Sequence, residues 1–280
     1  MKRFNVLLSA FMVFSLAVGL LLSGCSSSNT TKLKVVTGTS LVTYIVEQIG
    51  GNHVEAINLV PPNQHPGNFD AKPGDIQSLS TAQLFLLQGV PGETYADKLV
   101  TAANNPNLKV VKATTNGNWM IPSVQSAATD KILAALIEVD PANEAAYQKA
   151  ADAYKTRIQT KETEIKNKLT KANVSKVNVI ASVRQADFLQ WAGFNVVATF
   201  VSAQSLTPQI VKDLVDKGKT SGVTLIVNNV QDGQDAGKAI AEELNAKNLN
   251  LSNFPGGFSG TETWEKAIDY NVKLLIDAMK

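Results

Sequence analysis

Two histidines and one cysteine bound the chemistry open to this chain. His65 stands in a polar loop, Asn63-Gln64-His65-Pro66-Gly67-Asn68, with Asp70 just behind it. An imidazole beside a carboxylate on a loop is a candidate ligand pair for a divalent transition metal. Such metals need several converging N and O donors, so one imidazole with scattered carboxylates makes a poor zinc site. His53 follows Gly50-Gly51-Asn52 and reads as an exposed turn residue. Neither histidine has a context that marks it as a base, and no GxxxxGK[ST] phosphate loop occurs. These features argue against an enzyme. Arg184 opens a helical run after Ala181-Ser182. Its guanidinium can grip a carboxylate or phosphate with two prongs, and an ordinary surface ion pair is the equal alternative. Trp119 lies on a Gly/Asn-rich loop, a place where side chains line pockets. Trp191 reads as core, because its helix must bury an apolar face.

Cys25 has a different chemistry. Lys2 and Arg3 precede an apolar run from Phe4 to Leu22, followed by Ser23, Gly24 and Cys25. This is similar to a bacterial lipoprotein signal peptide with its lipobox. The similarity implies that Cys25 becomes the lipidated first residue, anchored on the extracytoplasmic face of the cell membrane. A transmembrane anchor is the other reading of that run. With one cysteine, no intramolecular disulfide forms. Net charge is +2 over 280 residues, with no basic cluster, which leaves nucleic acid binding without an electrostatic basis.

Strand-like and helix-like stretches alternate along the rest of the chain. Strands are expected at 33–37, 54–60, 84–87 and 108–111, with helices at 40–49, 75–80 and 94–103. The pattern repeats with strands at 176–181, 195–200 and 224–227 and helices at 184–192, 208–219, 234–246 and 261–279. Such alternation predicts parallel βα units. Between the two series, Asp140-Pro141 opens a breaker-free stretch to about Ala172, with Ala146, Ala150, Ala153, Tyr154, Ile158, Ile165 and Leu169 as its apolar residues. The expected fold is α/β, two Rossmann-like lobes joined by one long rigid linking helix. The expected boundaries are a signal peptide at 1–24, a lipidated tether at 25–32, an N-terminal lobe at 33–140, the helix at 141–172 and a C-terminal lobe at 173–280.

Several motifs occur in one order. They are Leu59-Val60-Pro61-Pro62 with Phe69, Pro73, Asp75 and Ile76; Trp119 with Pro122; Asp140-Pro141-Ala142-Asn143 with Tyr147 and Tyr154; Ala192-Gly193-Phe194; and Gly260-Thr261-Glu262-Thr263-Trp264 with Tyr270-Asn271. Together they resemble the zinc- and manganese-type (TroA-like) solute-binding lipoproteins of ABC importers over nearly the whole mature chain. That resemblance implies an ABC permease and ATPase as partners, with a small-molecule or metal ligand held between the lobes. It also implies that the family's metal-ligand positions fall on Gly67, Gly117, Ser182 and Asn228, none of them a strong donor. Lost imidazoles are expected to vacate volume, with Phe69, Trp119, Met120 and Arg184 around the widened cleft. The expected ligand is therefore a metal chelate or an organic solute rather than a bare ion. Two alternatives stand beside it: direct Zn²⁺ or Mn²⁺ binding through His65 and nearby carboxylates, and a surface adhesin or scaffold. The only cofactor-like group left open is a bound divalent metal or metal chelate.

Overall fold

The computed structural model describes residues 32–280. The expected signal peptide, Cys25 and the expected tether up to Thr31 lie outside the described residues. Strand β1 (Leu33–Thr37) is the apolar run LKVVT, and it is flanked in register by β2 (Val54–Asn58) and β3 (Leu84–Leu87). With β4 (Lys109–Lys112) these form a parallel sheet of order β2-β1-β3-β4. Helices α1 (Ser40–Gly50), α2 (Pro73–Ser80) and α3 (Ala96–Ala103) make the crossovers. The second sheet repeats that order as β6-β5-β7-β8, from β5 (Asn178–Ser182), β6 (Asn195–Phe200), β7 (Leu225–Asn229) and β8 (Lys247–Leu251). Its helices are α6 (Val183–Ala192), α7 (Pro208–Ser221) and α8 (Lys238–Leu244), and the chain ends in α9 (Trp264–Ala278). Two parallel-sheet α/β lobes result.

One long helix joins the lobes, as expected, and a shorter helix of the first lobe leads into it. Helix α4 (Pro122–Val139) packs on the first sheet and then turns through a 3-10 segment at Pro141–Asn143 into α5 (Glu144–Lys171). Asp140 holds that turn, accepting from the Tyr147 hydroxyl at 2.6 Å and from Asn143 Nδ2 at 2.7 Å. The 28 residues of α5 span about 42 Å at 1.5 Å each. Its buried stripe is Tyr147, Ala151, Tyr154, Ile158, Ile165 and Leu169. Ala146 and Ala153 face solvent instead, one step off the 3.6-residue period that the buried stripe follows. Helix α5 packs against α1 and α4 on one side and α9 on the other, so both lobes touch it.

The apolar clusters follow this plan. Each sheet has an outer cluster of its own, one around Val36, Phe85 and Leu99, the other around Ile180, Phe200 and Ile226. A third runs without a break from Val35 and Leu84 through Tyr154 and Ile158 to Val179, Leu225 and Leu251. The inner faces of both sheets thus share one core. Among the described residues, no helix is long and apolar enough to cross a membrane.

Candidate functional site

In parallel α/β sheets, ligand sites form beyond the carboxyl ends of the strands, where strand order reverses. Here the carboxyl ends of both sheets face one cavity of about 340 Å³. The first sheet lines it from the start of α1 and from the segments after β2, β3 and β4. The second lines it from the start of α6, the end of β7 and the segment after β8. Direct bonds cross between the lobes around it. Asn118 Nδ2 donates to Asn253 Oδ1 and to the Arg184 carbonyl, both at 2.8 Å, and Gln231 Nε2 donates to the Pro62 carbonyl at 2.7 Å.

The first lobe supplies His65 and glycine-rich backbone. His65 Nδ1 accepts the Gly67 N–H at 2.9 Å. Nδ1 is then unprotonated, and in the neutral ring Nε2 carries the hydrogen. Nε2 points across the cleft to Asp232, 3.8 Å away. Burial lowers the His65 pKa, the Arg184 guanidinium lowers it further, and Asp232 acts in the opposite sense. The net effect favours the neutral ring. The loop after β3 is held by Glu93, whose carboxylate accepts from the backbone N–H groups of Gln88, Gly89 and Val90 at 2.7–3.1 Å. Gln88, only 9% exposed, leaves its Oε1 without a partner, and so does the Thr115 hydroxyl; both residues line the cavity. An unsatisfied buried polar atom of this kind calls for an explanation.

The second lobe supplies the charges. Ser182 Oγ accepts the Arg184 N–H and caps α6. Arg184 Nε donates to Asp232 Oδ1 at 2.9 Å. Asp232 Oδ2 accepts from Asn229 Nδ2 at 3.0 Å and meets the Ser182 hydroxyl at 3.4 Å. The carboxylate is thus buried, 7% exposed, and already surrounded by donors. Gln185, fully buried behind this wall, donates to Asn229 and Asn253.

The profile described as "ZnuA: Zinc-uptake complex component A periplasmic" matches residues 35–278. The chain belongs to this family. A "Metal ABC transporter substrate-binding lipoprotein SsaB" of Streptococcus sanguinis is 25% identical over 285 residues, 91% of each chain. A "Manganese ABC transporter substrate-binding lipoprotein scaA" of Streptococcus gordonii is 26% identical over 268 residues, covering 84% of this chain and 86% of its own. Among solved structures, a Cd-bound periplasmic metal binding protein from Candidatus Liberibacter asiaticus superposes with TM-score 0.78 at 18% identity, covering 89% of this chain and all of its own. A crystal structure of ZnuA gives 0.76 at 21% identity, with the same coverage. At such identities these two show the shared fold.

Within this ZnuA-family fold the expected site residues separate. His65, Gly117, Trp119 and Arg184 line the cavity. Gly67 does not, and the space beside it is filled: a Cβ there would stand 2.9 Å from His65 Nδ1. The expected vacancy is occupied by the His65 ring. Gly117 has φ of +97°, a backbone region that suits glycine, and a Cβ there would meet Val124 at 3.3 Å. Trp119 lines the cavity but is only 2% exposed, within the shared core, and its carbonyl accepts from Trp264 Nε1 at 3.1 Å. Met120 is buried in the same core. Phe69 lies outside the cavity, edge-on to Tyr95 in the outer cluster, because its side chain completes the packing over α3. Ser182 is a cap and a support for Asp232 rather than a lining group. Asn228 is a correction in full. Its amide is fully buried behind the sheet edge, donating to Asn248 Oδ1 and the Leu249 carbonyl and accepting the Gly237 N–H at 2.7 Å. Asp70 is exposed and away from the cavity.

Asp232 is the residue the sequence reading passed over. It directly precedes Gly233, just past the buried strand β7, and an acid at the carboxyl end of a central strand was the available signal.

Proposed function

We propose that this chain is the solute-binding lipoprotein of a metal-type ABC importer, anchored through Cys25 on the extracytoplasmic face and delivering its ligand to a permease and ATPase. It performs no catalysis. The ligand is captured between the lobes and is a metal chelate or an organic solute. Family membership and the named streptococcal relatives support the importer role. One observation carries the ligand class: the carboxylate facing His65 is already paired with Arg184.

A divalent ion at this place would have to displace a guanidinium from its 2.9 Å contact and then tolerate it nearby. His65 adds a second obstacle. Metal-bound histidines typically donate their remote ring N–H to an acceptor. Here the remote Nδ1 faces a backbone N–H, which opposes the tautomer that would free Nε2 for a metal. Among the described residues, no three His, Cys, Asp or Glu side chains converge on one point. The cavity volume suits a small molecule.

Titration calorimetry of chelator-treated protein with ZnCl₂ and MnCl₂ tests the ligand class. The expected result is binding weaker than micromolar. A nanomolar one-to-one zinc isotherm that vanishes in His65→Ala would overturn it and make His65 a ligand.

A further inference from the structure

We propose that the cavity takes a free α-amino acid, with the carboxylate on Arg184 and the ammonium on Asp187. The inference rests on the solute-binding reading above and names the class of solute.

Arg184 and Asp187 stand one turn apart on α6, and both line the cavity. Opposite charges at this spacing are neighbours on a helix and ordinarily pair. These two do not. Arg184 turns through Nε to Asp232, which fixes the guanidinium plane and leaves both Nη groups without a partner among the described residues. With Nε occupied, the end-on pair of Nη groups remains to receive a carboxylate with two parallel hydrogen bonds. Asp232 cannot be that carboxylate as well, since its second oxygen is engaged by Asn229 and Ser182. Asp187 has no hydrogen-bond or ionic partner among the described residues. It faces the first lobe, where its Oδ2 would lie 3.9 Å from a Cβ placed on Gly117. The helix therefore presents an unpaired cation face and an unpaired carboxylate, separated by roughly 5–6 Å at their Cβ atoms. A zwitterion complements both, and a bare cation or a simple anion complements one.

The opposite wall is neutral and needs donors. Gln88, nine-tenths buried, has an unpartnered Oε1 in the cavity lining, and Thr115 has an unpartnered hydroxyl. An ammonium carries three N–H groups, so it can serve Asp187 and still reach an acceptor of this kind. Leu41, Val90, Pro91 and Phe254 provide apolar lining for a side chain.

The test uses the full chain in detergent with EDTA present. The probes are the twenty common l-amino acids, each beside its N-acetyl and its carboxamide form. Thermal-shift screening followed by calorimetry is expected to find at least one free amino acid that binds one-to-one. N-acetylation and amidation should each weaken it tenfold or more. Asp187→Asn, which removes no contact within the protein, should weaken the free amino acid at least tenfold and leave its N-acetyl form unchanged. Arg184→Gln should weaken the free and N-acetyl forms and spare the carboxamide. A binder indifferent to both modifications overturns the assignment of the two charges. If no free amino acid binds while a metal chelate or another organic solute does, this inference falls and the solute-binding reading stands. Nanomolar binding of bare Zn²⁺ with no organic binder overturns both.

Discussion

Sheets β2-β1-β3-β4 and β6-β5-β7-β8 are one topology used twice, yet they bring different chemistry to the cavity between them. Each lobe has a buried carboxylate close to the cavity. In the first lobe Glu93 turns inward and ties three backbone N–H groups, which leaves that wall without an ionised side chain. In the second lobe Asp232 turns toward the cleft and ties a guanidinium. Burial pushes the Glu93 pKa up, while the three N–H groups and Lys112 pull against it. The difference separates two uses of the same group. One carboxylate shapes a loop, and the other aims a charge. A repeated fold leaves such choices to the segments beyond the strand ends, because those segments carry no ladder hydrogen bonds and are free to diverge.

What the lobes share is the inner core through α5, and breaking it should have the largest effect. Ile158 is 1% exposed in the middle of that helix. Ile158→Pro removes a helical hydrogen bond and forces a clash, which costs about 3 kcal/mol or more before any lost packing is counted. Both lobes pack on this helix, so urea unfolding followed by fluorescence and circular dichroism should show one coincident transition moved to much lower urea. Two separate transitions would mean that the lobes fold independently and that the shared core does not couple them.

A second comparison sets the two carboxylates against each other. Glu93→Ala leaves three backbone donors near a buried loop unsatisfied and should cost about 2–4 kcal/mol. Asp232→Ala should cost less, about 1–2 kcal/mol, because its Arg184 partner is 43% exposed and water replaces it, while Asn229 Nδ2 alone loses a well-placed acceptor. Chemical denaturation of the two variants decides this. Equal losses would show that Asp232 also supports the fold of its lobe.

Much of this architecture was legible. Strands at 33–37, 84–87 and 195–200 match their sequence limits, since each is a short apolar or β-branched run between turn signals. Two elements were not. Strand β8 reads KNLNL, and asparagine argues against a strand. Its polar positions are stabilised by tertiary contacts instead, with Asn248 and Asn250 both donating to Asp235. Helix α4 buries Gln125 and Thr129 beside its apolar residues, which blurs its period. The site was legible in part. His65 and Arg184 stand out by type, but which carboxylate faces them depends on how two lobes meet. The resemblance places a ligand position on Asn228, whereas the carboxylate that faces His65 is Asp232, four residues on.

The smallest expected effect is also the most direct reading of the cleft. With only His53 and His65 in the chain, two-dimensional NMR resolves each titration. His65 is expected below the ordinary histidine value, first through burial and then through Arg184, with Asp232 opposing both. Its folded value lies beneath its unfolded one. The unfolded chain therefore binds the proton more readily as pH falls from about 6.5, and stability declines through that window. His65→Asn should flatten this part of the stability profile by less than either change above. Both charges that act on the ring belong to the other lobe. Asp232→Asn should therefore move the His65 pKa further down. Arg184→Gln should move it up, since it removes a cation and releases the full charge of Asp232. If neither substitution moves it, the charges of one lobe do not reach the histidine of the other in solution, and the lobes stand further apart there than the 3.8 Å contact implies.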